Sequence, residues 1–134
     1  MYQPTSRRLA AASVFSLMLI LSVPSLALDK PPVISLLSDD LAMQAPNLDR
    51  AVLDKAIAAM TCAVNHGVEK SARLAVIDFS LPSSEPRLWI FDLESRSLIL
   101  EELVAHGRNS GDNVATNFSN VEGSHQSSIG LFRA

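Results

Sequence analysis

Three short apolar runs in the middle of the chain constrain its fold more than any other feature. They cover residues 74–79, 87–92 and 98–104, and they are rich in β-branched and aromatic residues, as strands are. The links between them, residues 81–86 and 93–97, are short and turn-like, so neighbouring strands should run antiparallel. The runs therefore predict a β-meander.

An amphipathic helix is predicted before the meander, from residue 48 to residue 66. Its apolar residues recur at spacings of four, three and four: Leu53, Ile57, Met60 and Val64. Asn47 is the expected N-cap, and Gly67 is expected to close the helix. The predicted fold class is α+β, mainly β with an N-terminal helix, and the folded part is expected to span residues 47–134.

The segments before the helix and after the meander are less regular. Residues 28–46 hold three prolines around a short apolar run, which predicts a tether or an early strand. Residues 107–128 form a long polar stretch, and a loop of about 20 residues in a compact domain is more often functional than decorative. A last strand is expected to begin in the apolar run at residues 129–132.

The first 27 residues are predicted to be a signal peptide that directs export to the periplasm or cell envelope. Arg7 and Arg8 precede a charge-free stretch over residues 9–28, which ends in a proline and the tripeptide Ser-Leu-Ala at 25–27. Cleavage is expected after Ala27, leaving no stable membrane span. The alternative is an uncleaved anchor, because about 20 uncharged residues approach the length of a bilayer span.

Composition excludes several classes of protein. A net charge of −3 with no basic run argues against nucleic-acid binding. A single cysteine excludes an intramolecular disulfide and a multi-cysteine zinc site. No cofactor is expected.

The candidate chemical groups are few and have ordinary structural interpretations. Cys62 and His66 lie four residues apart on one helix face, opposite the apolar stripe, which favours an incidental cysteine over a catalytic or metal-binding one. His106 is interpreted as a histidine at the end of a strand. Trp89 and Phe91 alternate on one strand face and are expected in the core.

The polar loop contains the residue types of a hydrolase triad, but in no recognised arrangement. They are His125, the serines Ser124, Ser127 and Ser128, and Asp112. The Gly-x-Ser-x-Gly turn is absent, and the glycines at 107 and 111 lack the Gly-Lys-Ser/Thr ending of a phosphate loop. The adjacent pairs Asp39-Asp40 and Glu101-Glu102 are expected to point to opposite faces of extended chain, so neither makes a paired-carboxylate site.

Four strings in the second half resemble a known family. They are LAVIDFS at 74–80, RLWIFD at 87–92, LVAHGRNSG at 103–111 and GSHQSSIGLF at 123–132. Together they resemble the opening of a murein L,D-transpeptidase catalytic domain of the YkuD-like class, over about residues 48–134. The resemblance implies part of a β-sandwich, an exported protein and peptidoglycan stem peptides as the partner.

The resemblance also implies a cysteine enzyme that takes an acyl group from a stem peptide, forms a thioester and passes the acyl group to an amine. In the family the site comes from a downstream His-Gly segment and a later Ser-x-Gly-Cys motif, and neither motif is present here. Cys62 lies upstream of the sheet and does not match the nucleophile. No catalytic, cofactor-binding or metal-binding residue is therefore predicted.

These observations lead to three hypotheses. The first is a truncated L,D-transpeptidase-like envelope protein without activity of its own. The second is a non-catalytic secreted module that binds peptidoglycan or a protein partner through the polar loop. The third, and most remote, is an enzyme that uses Cys62 and His66.

Overall fold

The computed structural model describes residues 33–133, so the predicted signal peptide lies outside the described residues. Two helices precede a single sheet: α1 (Val33–Gln44), α2 (Arg50–Asn65), β1 (Arg73–Ile77), β2 (Leu88–Asp92) and β3 (Ser97–Glu102). The α+β class is confirmed. The expectation of a mainly β chain with one helix is wrong for these residues, because two helices of 12 and 16 residues precede strands of 5, 5 and 6 residues. Within residues 33–133 both helices pack on one face of the one sheet, where a sandwich would have a second sheet.

The sheet is the predicted antiparallel meander, in the order β1-β2-β3. Leu74 pairs with Phe91, and Val76 pairs with Trp89, so these four side chains share one face. All four are buried against the helices. The expectation that Trp89 and Phe91 belong to the core is confirmed, because both are 0% exposed.

Helix α2 presents the predicted stripe to this core. Leu53 and Ile57 are buried, and Met60 packs partly buried against them. The helix ends as predicted at Gly67, which has a φ of +91° and donates to the carbonyl of Val64. Val68 donates to the carbonyl of Ala63 at 3.0 Å, which completes a Schellman motif.

The predicted N-cap of α2 was wrong by two residues. Asp49 caps the helix, since its carboxylate accepts from the backbone N–H groups of Ala51 at 2.7 Å and Val52 at 3.2 Å. Asn47 donates instead to Glu101 on β3, at 3.1 Å. A carboxylate at the N-cap is also favoured over an amide by the helix dipole.

The described part of the predicted tether is helix α1, neither a tether nor a strand. Leu41 and Ala45 are completely buried, and Leu37 packs partly buried beside them. These residues recur at intervals of four, which places them on one helical face toward the core. Neither helix in the described range, 33–133, is long and apolar enough to cross a membrane.

The expected last strand is not formed within the described residues. Ile129, Leu131 and Phe132 are 58, 48 and 64% exposed and belong to no strand. The carbonyl of Ile129 accepts from the side chain of Asn120 at 3.3 Å. An apolar run becomes a strand only where a neighbouring strand offers backbone partners.

Exposed ion pairs join α1 to the elements around it. Arg50 on α2 contacts Asp39 at 2.7 Å and Asp54 at 3.0 Å, and Ser38 on α1 also donates to Asp54. Arg96 in the turn after β2 contacts Asp40 at 2.5 Å. The adjacent aspartates thus lie on a helix, where the sequence suggested extended chain, and each binds a different arginine.

Acid is expected to destabilise the fold through two carboxylates. Ser38 and then Arg50 hold the pKa of Asp54 below its ordinary value, and the backbone N–H and hydroxyl of Ser95 hold the pKa of Asp92 below its own. A folded-state pKa below the unfolded one stabilises at neutral pH, and that contribution disappears below about pH 4. The midpoint of thermal unfolding should therefore fall as pH drops below about 4.

The matched control for acid is Asp92→Asn, which keeps an oxygen that can accept from the Ser95 N–H but removes the titrating group. Its midpoint should fall less steeply with acid than that of the wild type. An unchanged slope would show that Asp92 does not couple to folding.

Candidate functional site

Two of the four strings that carry the family resemblance, at residues 103–111 and 123–132, lie against each other at the polar loop. The backbone N–H of Gly107 donates to Ser127 Oγ at 2.9 Å, and the N–H of Ser127 donates to Ser110 Oγ at 2.7 Å. Asn109 donates from its backbone to the carbonyl of His125 at 3.1 Å. The loop is therefore ordered by bonds between the HGRNSG and SHQSS segments, and it needs no regular secondary structure.

Two glycines make this close approach possible. A Cβ on Gly107 would contact the carbonyl oxygen of His125 and lie 2.8 Å from Gln126 C and 2.9 Å from Ser127 N. Gly111 has a φ of +147°, which L-residues rarely adopt, and a Cβ there would meet the carbonyl oxygen of Val114. Both sites need glycine because backbone occupies the space.

A buried arginine connects the loop to the sheet. Arg87 lies just before β2 and is 0% exposed. Its Nε and one terminal nitrogen donate to the carbonyl of Val104 at 3.1 and 2.9 Å, and its other terminal nitrogen donates to the carbonyl of Leu81 at 2.8 Å. Val104 lies beyond β3, which ends at Glu102, two residues before the predicted end.

The charge of Arg87 is buried, and no carboxylate of residues 33–133 forms a direct ion pair with it. Asp78 is the nearby acid, but its carboxylate accepts from the backbone and hydroxyl of Ser80 at 2.9 and 2.6 Å. Burial lowers the pKa of Arg87, and the charge of Asp78 opposes that shift. The ring of Phe79 lies 5.2 Å from the guanidinium carbon, which adds a cation–π contact.

His106 is the last member of this network, and it lies after the end of β3 with both ring nitrogens engaged. Nδ1 lies 2.7 Å from a terminal nitrogen of Arg87, and Nε2 lies 3.0 Å from the carbonyl oxygen of Gly111. The interpretation as a histidine at the end of a strand was wrong in place, because β3 ends four residues earlier, at Glu102. The ring bonds instead to an arginine and a glycine outside that strand.

An open cleft of about 400 Å³ lies beside this network. Its lining includes the segment 103–106 and Gly111, which are called its two walls below, and the exposed Arg108 and Asp112, which are called its rim. Both charged residues are exposed, and among the described residues neither takes part in an ion pair. A second cleft of about 430 Å³ shares Arg108, Gly111 and Asp112 and continues toward Asn117.

The wall at residues 103–106 also presents free backbone groups. Within the described chain, the N–H groups of residues 103–106 and the carbonyl groups of 103 and 105 have no hydrogen-bond partner beyond the strand ladder. Backbone groups in extended chain without partners are the groups to which an added peptide strand binds. The cleft therefore combines an edge of free backbone groups with one positively charged side chain, Arg108, and one negatively charged side chain, Asp112.

The hydrolase-type residues are near one another in sequence but are not brought together as a triad. His125 is exposed with a φ of +56°, and no hydrogen bond joins its ring to another residue in the described range. Ser127 accepts from Gly107, Ser128 donates to the carbonyl of Ser119 at 3.1 Å, and Asp112 lies at the cleft. These hydroxyls therefore build the loop.

Cys62 and His66 lie on one face of α2, as the spacing predicted. The sulfur lies 3.7 Å from His66 Nδ1, and that nitrogen lies 2.7 Å from the carbonyl oxygen of Cys62. Cys62 is exposed, and residues 33–133 hold no group of three possible metal ligands. Neither residue of the pair lines the cleft.

A family model provides the deciding comparison. The model of the L,D-transpeptidase catalytic domain matches residues 44–134, which include α2, the whole sheet and the loop. The chain belongs to the L,D-transpeptidase catalytic domain family. The resemblance seen in the sequence is thereby confirmed. No curated protein and no solved structure matches the chain.

In this L,D-transpeptidase domain, sequence reasoning missed Arg87. Its position two residues before Trp89 and four before Phe91 gives it the same strand parity as the core, and that alternation was the available signal. Ser110 was missed as well. It is 0% exposed, and its carbonyl accepts from the backbones of Thr116 and Asn117 at 2.7 and 2.9 Å.

Proposed function

We propose that this L,D-transpeptidase-family chain acts in peptidoglycan cross-linking or remodelling and binds peptidoglycan stem peptides in the cleft beside Arg108. The family match over residues 44–134 carries the proposal. Family members act in the cell envelope, which supports export of this chain through a signal peptide at residues 1–27, cleaved after Ala27.

The chemistry of the cleft suits a stem peptide. Such a peptide carries free carboxylates and a free amine on its side chains and end. Arg108 can donate two parallel hydrogen bonds to a carboxylate, and Asp112 can accept from an ammonium. The unpaired N–H groups of residues 103–106 and the unpaired carbonyl groups of residues 103 and 105 can bond to the backbone of the peptide.

We infer further that residues 1–134 by themselves do not catalyse acyl transfer. The family reaction needs an activated thiolate, a base and an oxyanion hole in one site. The thiol of this chain, Cys62, is exposed on α2, and its sulfur contacts only His66 among the described residues. Arg108 and Asp112 line a cleft that does not include either residue.

A second candidate function is a non-catalytic module that binds peptidoglycan. The ordered loop favours it, because bonds such as Asn109 to His125 and Ser127 to Ser110 fix the loop that carries Arg108 and Asp112. A preorganised wall lowers the entropy lost on binding. This function needs no thiol.

To test the proposal, the full chain is expressed with its own N-terminal residues and the exported product is collected. The retention of that product on purified cell-wall sacculi is then measured. Mass spectrometry of the exported product should place its first residue at Leu28. The wild type should be retained, and Arg108→Ala should reduce retention about tenfold, because a lost charged hydrogen bond in a cleft is worth about 1.4 kcal/mol or more. Arg73→Ala, an exposed arginine on β1, is the matched control and should behave as the wild type.

The same preparations are then assayed for transpeptidation with a stem-peptide donor and an amine acceptor. No turnover is expected from the wild type or from Cys62→Ala. Turnover that disappears in Cys62→Ala would contradict the inferred inactivity and favour the Cys62–His66 enzyme. Equal retention of Arg108→Ala and wild type would show that Arg108 is not part of the binding site.

A further inference from the structure

The two walls of the cleft are joined through a pair of side chains. The carbonyl of Val104, on one wall, accepts two hydrogen bonds from Arg87. Arg87 also lies 2.7 Å from Nδ1 of His106, and Nε2 of His106 lies 3.0 Å from the carbonyl oxygen of Gly111 on the opposite wall. His106 is thus the link between the buried arginine and the far wall.

The chemistry of these partners fixes the tautomer of His106. A guanidinium offers only donors, so the ring nitrogen that faces Arg87 must be the acceptor and carries no proton. A carbonyl oxygen offers only lone pairs, so the nitrogen that faces Gly111 must carry the proton and donate. The contacts are satisfied together only when Nε2 is protonated and Nδ1 is not.

We propose that His106, in this Nε2–H tautomer, is a positioning residue that holds the Gly111 wall at a fixed distance from the sheet and so places Arg108 and Asp112 for the peptide. The ligand part of this inference rests on the proposed function of the cleft. His106 does not act as a general base in this proposal, because its Nδ1 already accepts a hydrogen bond from Arg87.

The geometry around Gly111 makes the link effective. Gly111 has a φ of +147°, and a Cβ at this residue would meet the carbonyl oxygen of Val114, so only glycine fits at this point of the loop. Arg108 and Asp112 lie within three residues of this point. A displacement of Gly111 therefore moves the charged rim of the cleft directly.

The first test is nitrogen NMR of the full chain labelled with ¹⁵N-histidine. His106 should show a protonated Nε2 and an unprotonated Nδ1. His66 is an internal reference for the opposite state, because its Nδ1 faces the carbonyl oxygen of Cys62 and has to donate there. A protonated Nδ1 on His106 would overturn the proposal whatever the chain binds.

The second test uses His106→Asn, which separates the two ends of the link. Asparagine can place its oxygen where Nδ1 stood and satisfy Arg87, but it is too short to donate to Gly111. The variant should remain folded, with shifted amide resonances at Arg108, Gly111 and Asp112, and it should bind a soluble stem peptide about tenfold more weakly. In His106→Gln the longer side chain can reach the carbonyl of Gly111 but does not place an acceptor where Nδ1 stood. This variant leaves Arg87 without that acceptor and should therefore lower the unfolding midpoint.

The matched control is His125→Asn in the same loop. The positive φ of 56° at His125 suits asparagine, and the ring of His125 has no hydrogen-bond partner within the described residues. This variant should leave both the amide resonances of the cleft and peptide binding unchanged. If His106→Asn also leaves the three cleft amides unchanged, the positioning role is wrong.

Failure of the proposed function has a different signature. In that case the wild type would bind no stem peptide, while the tautomer of His106 and the amide shifts of His106→Asn would still agree with the link. If the wild type binds the peptide and His106→Asn binds it equally well, the cleft is a peptide site but His106 does not position it.

Discussion

Replacing Arg87 with alanine is expected to lower the free energy of unfolding by roughly 4 kcal/mol. The substitution empties a fully buried volume and leaves three acceptors without a donor: the carbonyl groups of Leu81 and Val104 and Nδ1 of His106. These acceptors are part-buried, so each one left unsatisfied costs about 1 kcal/mol, at the low end of the range for buried groups. Together with the emptied volume, this outweighs the relief of a buried charge. Urea unfolding of the full chain measures the change.

Two further variants separate the causes. Arg87→Met fills most of the volume but donates nothing, so it should lose roughly 2 kcal/mol through the unpaired acceptors alone. Arg73→Ala removes an exposed arginine from the same sheet and should change stability by less than about 0.5 kcal/mol. A methionine variant as stable as the wild type would show that the cost of burying the charge equals the value of its hydrogen bonds.

Alanine at Gly107 is expected to destabilise the chain by about 3 kcal/mol and to disorder the polar loop. The added Cβ would collide with backbone atoms of His125, Gln126 and Ser127, which no side-chain rotation can relieve. Moving that backbone away also breaks the bond from Gly107 N–H to Ser127 Oγ. Hydrogen exchange at Ser127, whose amide donates to Ser110 Oγ at 2.7 Å, should accelerate by at least tenfold.

Gly67→Ala is the comparison for this effect. Gly67 has a φ of +91°, and no atom lies within 4 Å of the place that a Cβ would take, so alanine there meets backbone strain without collision. We expect a loss of about 1 kcal/mol and no change in exchange at Ser127. If both glycine variants lose the same stability and leave the loop intact, the close approach at Gly107 is not important for the fold.

The local patterns of the chain predicted most of the regular structure. Alternation in the runs around Val76 and Trp89 predicted the strands, the short links predicted their antiparallel order, and the stripe through Leu53 and Ile57 predicted α2. These signals are reliable because the periods of two and 3.6 residues are properties of the element itself. The match to the L,D-transpeptidase family covers residues 44–134, which include these segments.

Helix α1 was missed because its first residues are ambiguous. Val33 and Ile34 are β-branched and follow two prolines, a pattern typical of a strand or a linker. The helix is stabilised by contacts made elsewhere, since Leu41 is buried in the core and Asp40 binds Arg96 across the molecule. Such tertiary packing overrides a weak local preference.

The sequence by itself determined helix α2, the meander and the family, because hydrophobic periodicity and motif strings are local properties of the chain. Only the tertiary structure decided what the cleft is made of. Arg87 meets Val104 and His106 from 17 and 19 residues away, and Gly107 meets Ser127 from 20 residues away. No local pattern records which distant carbonyl, ring nitrogen or hydroxyl will lie within hydrogen-bonding distance of a given donor, because that depends on the path of the whole chain.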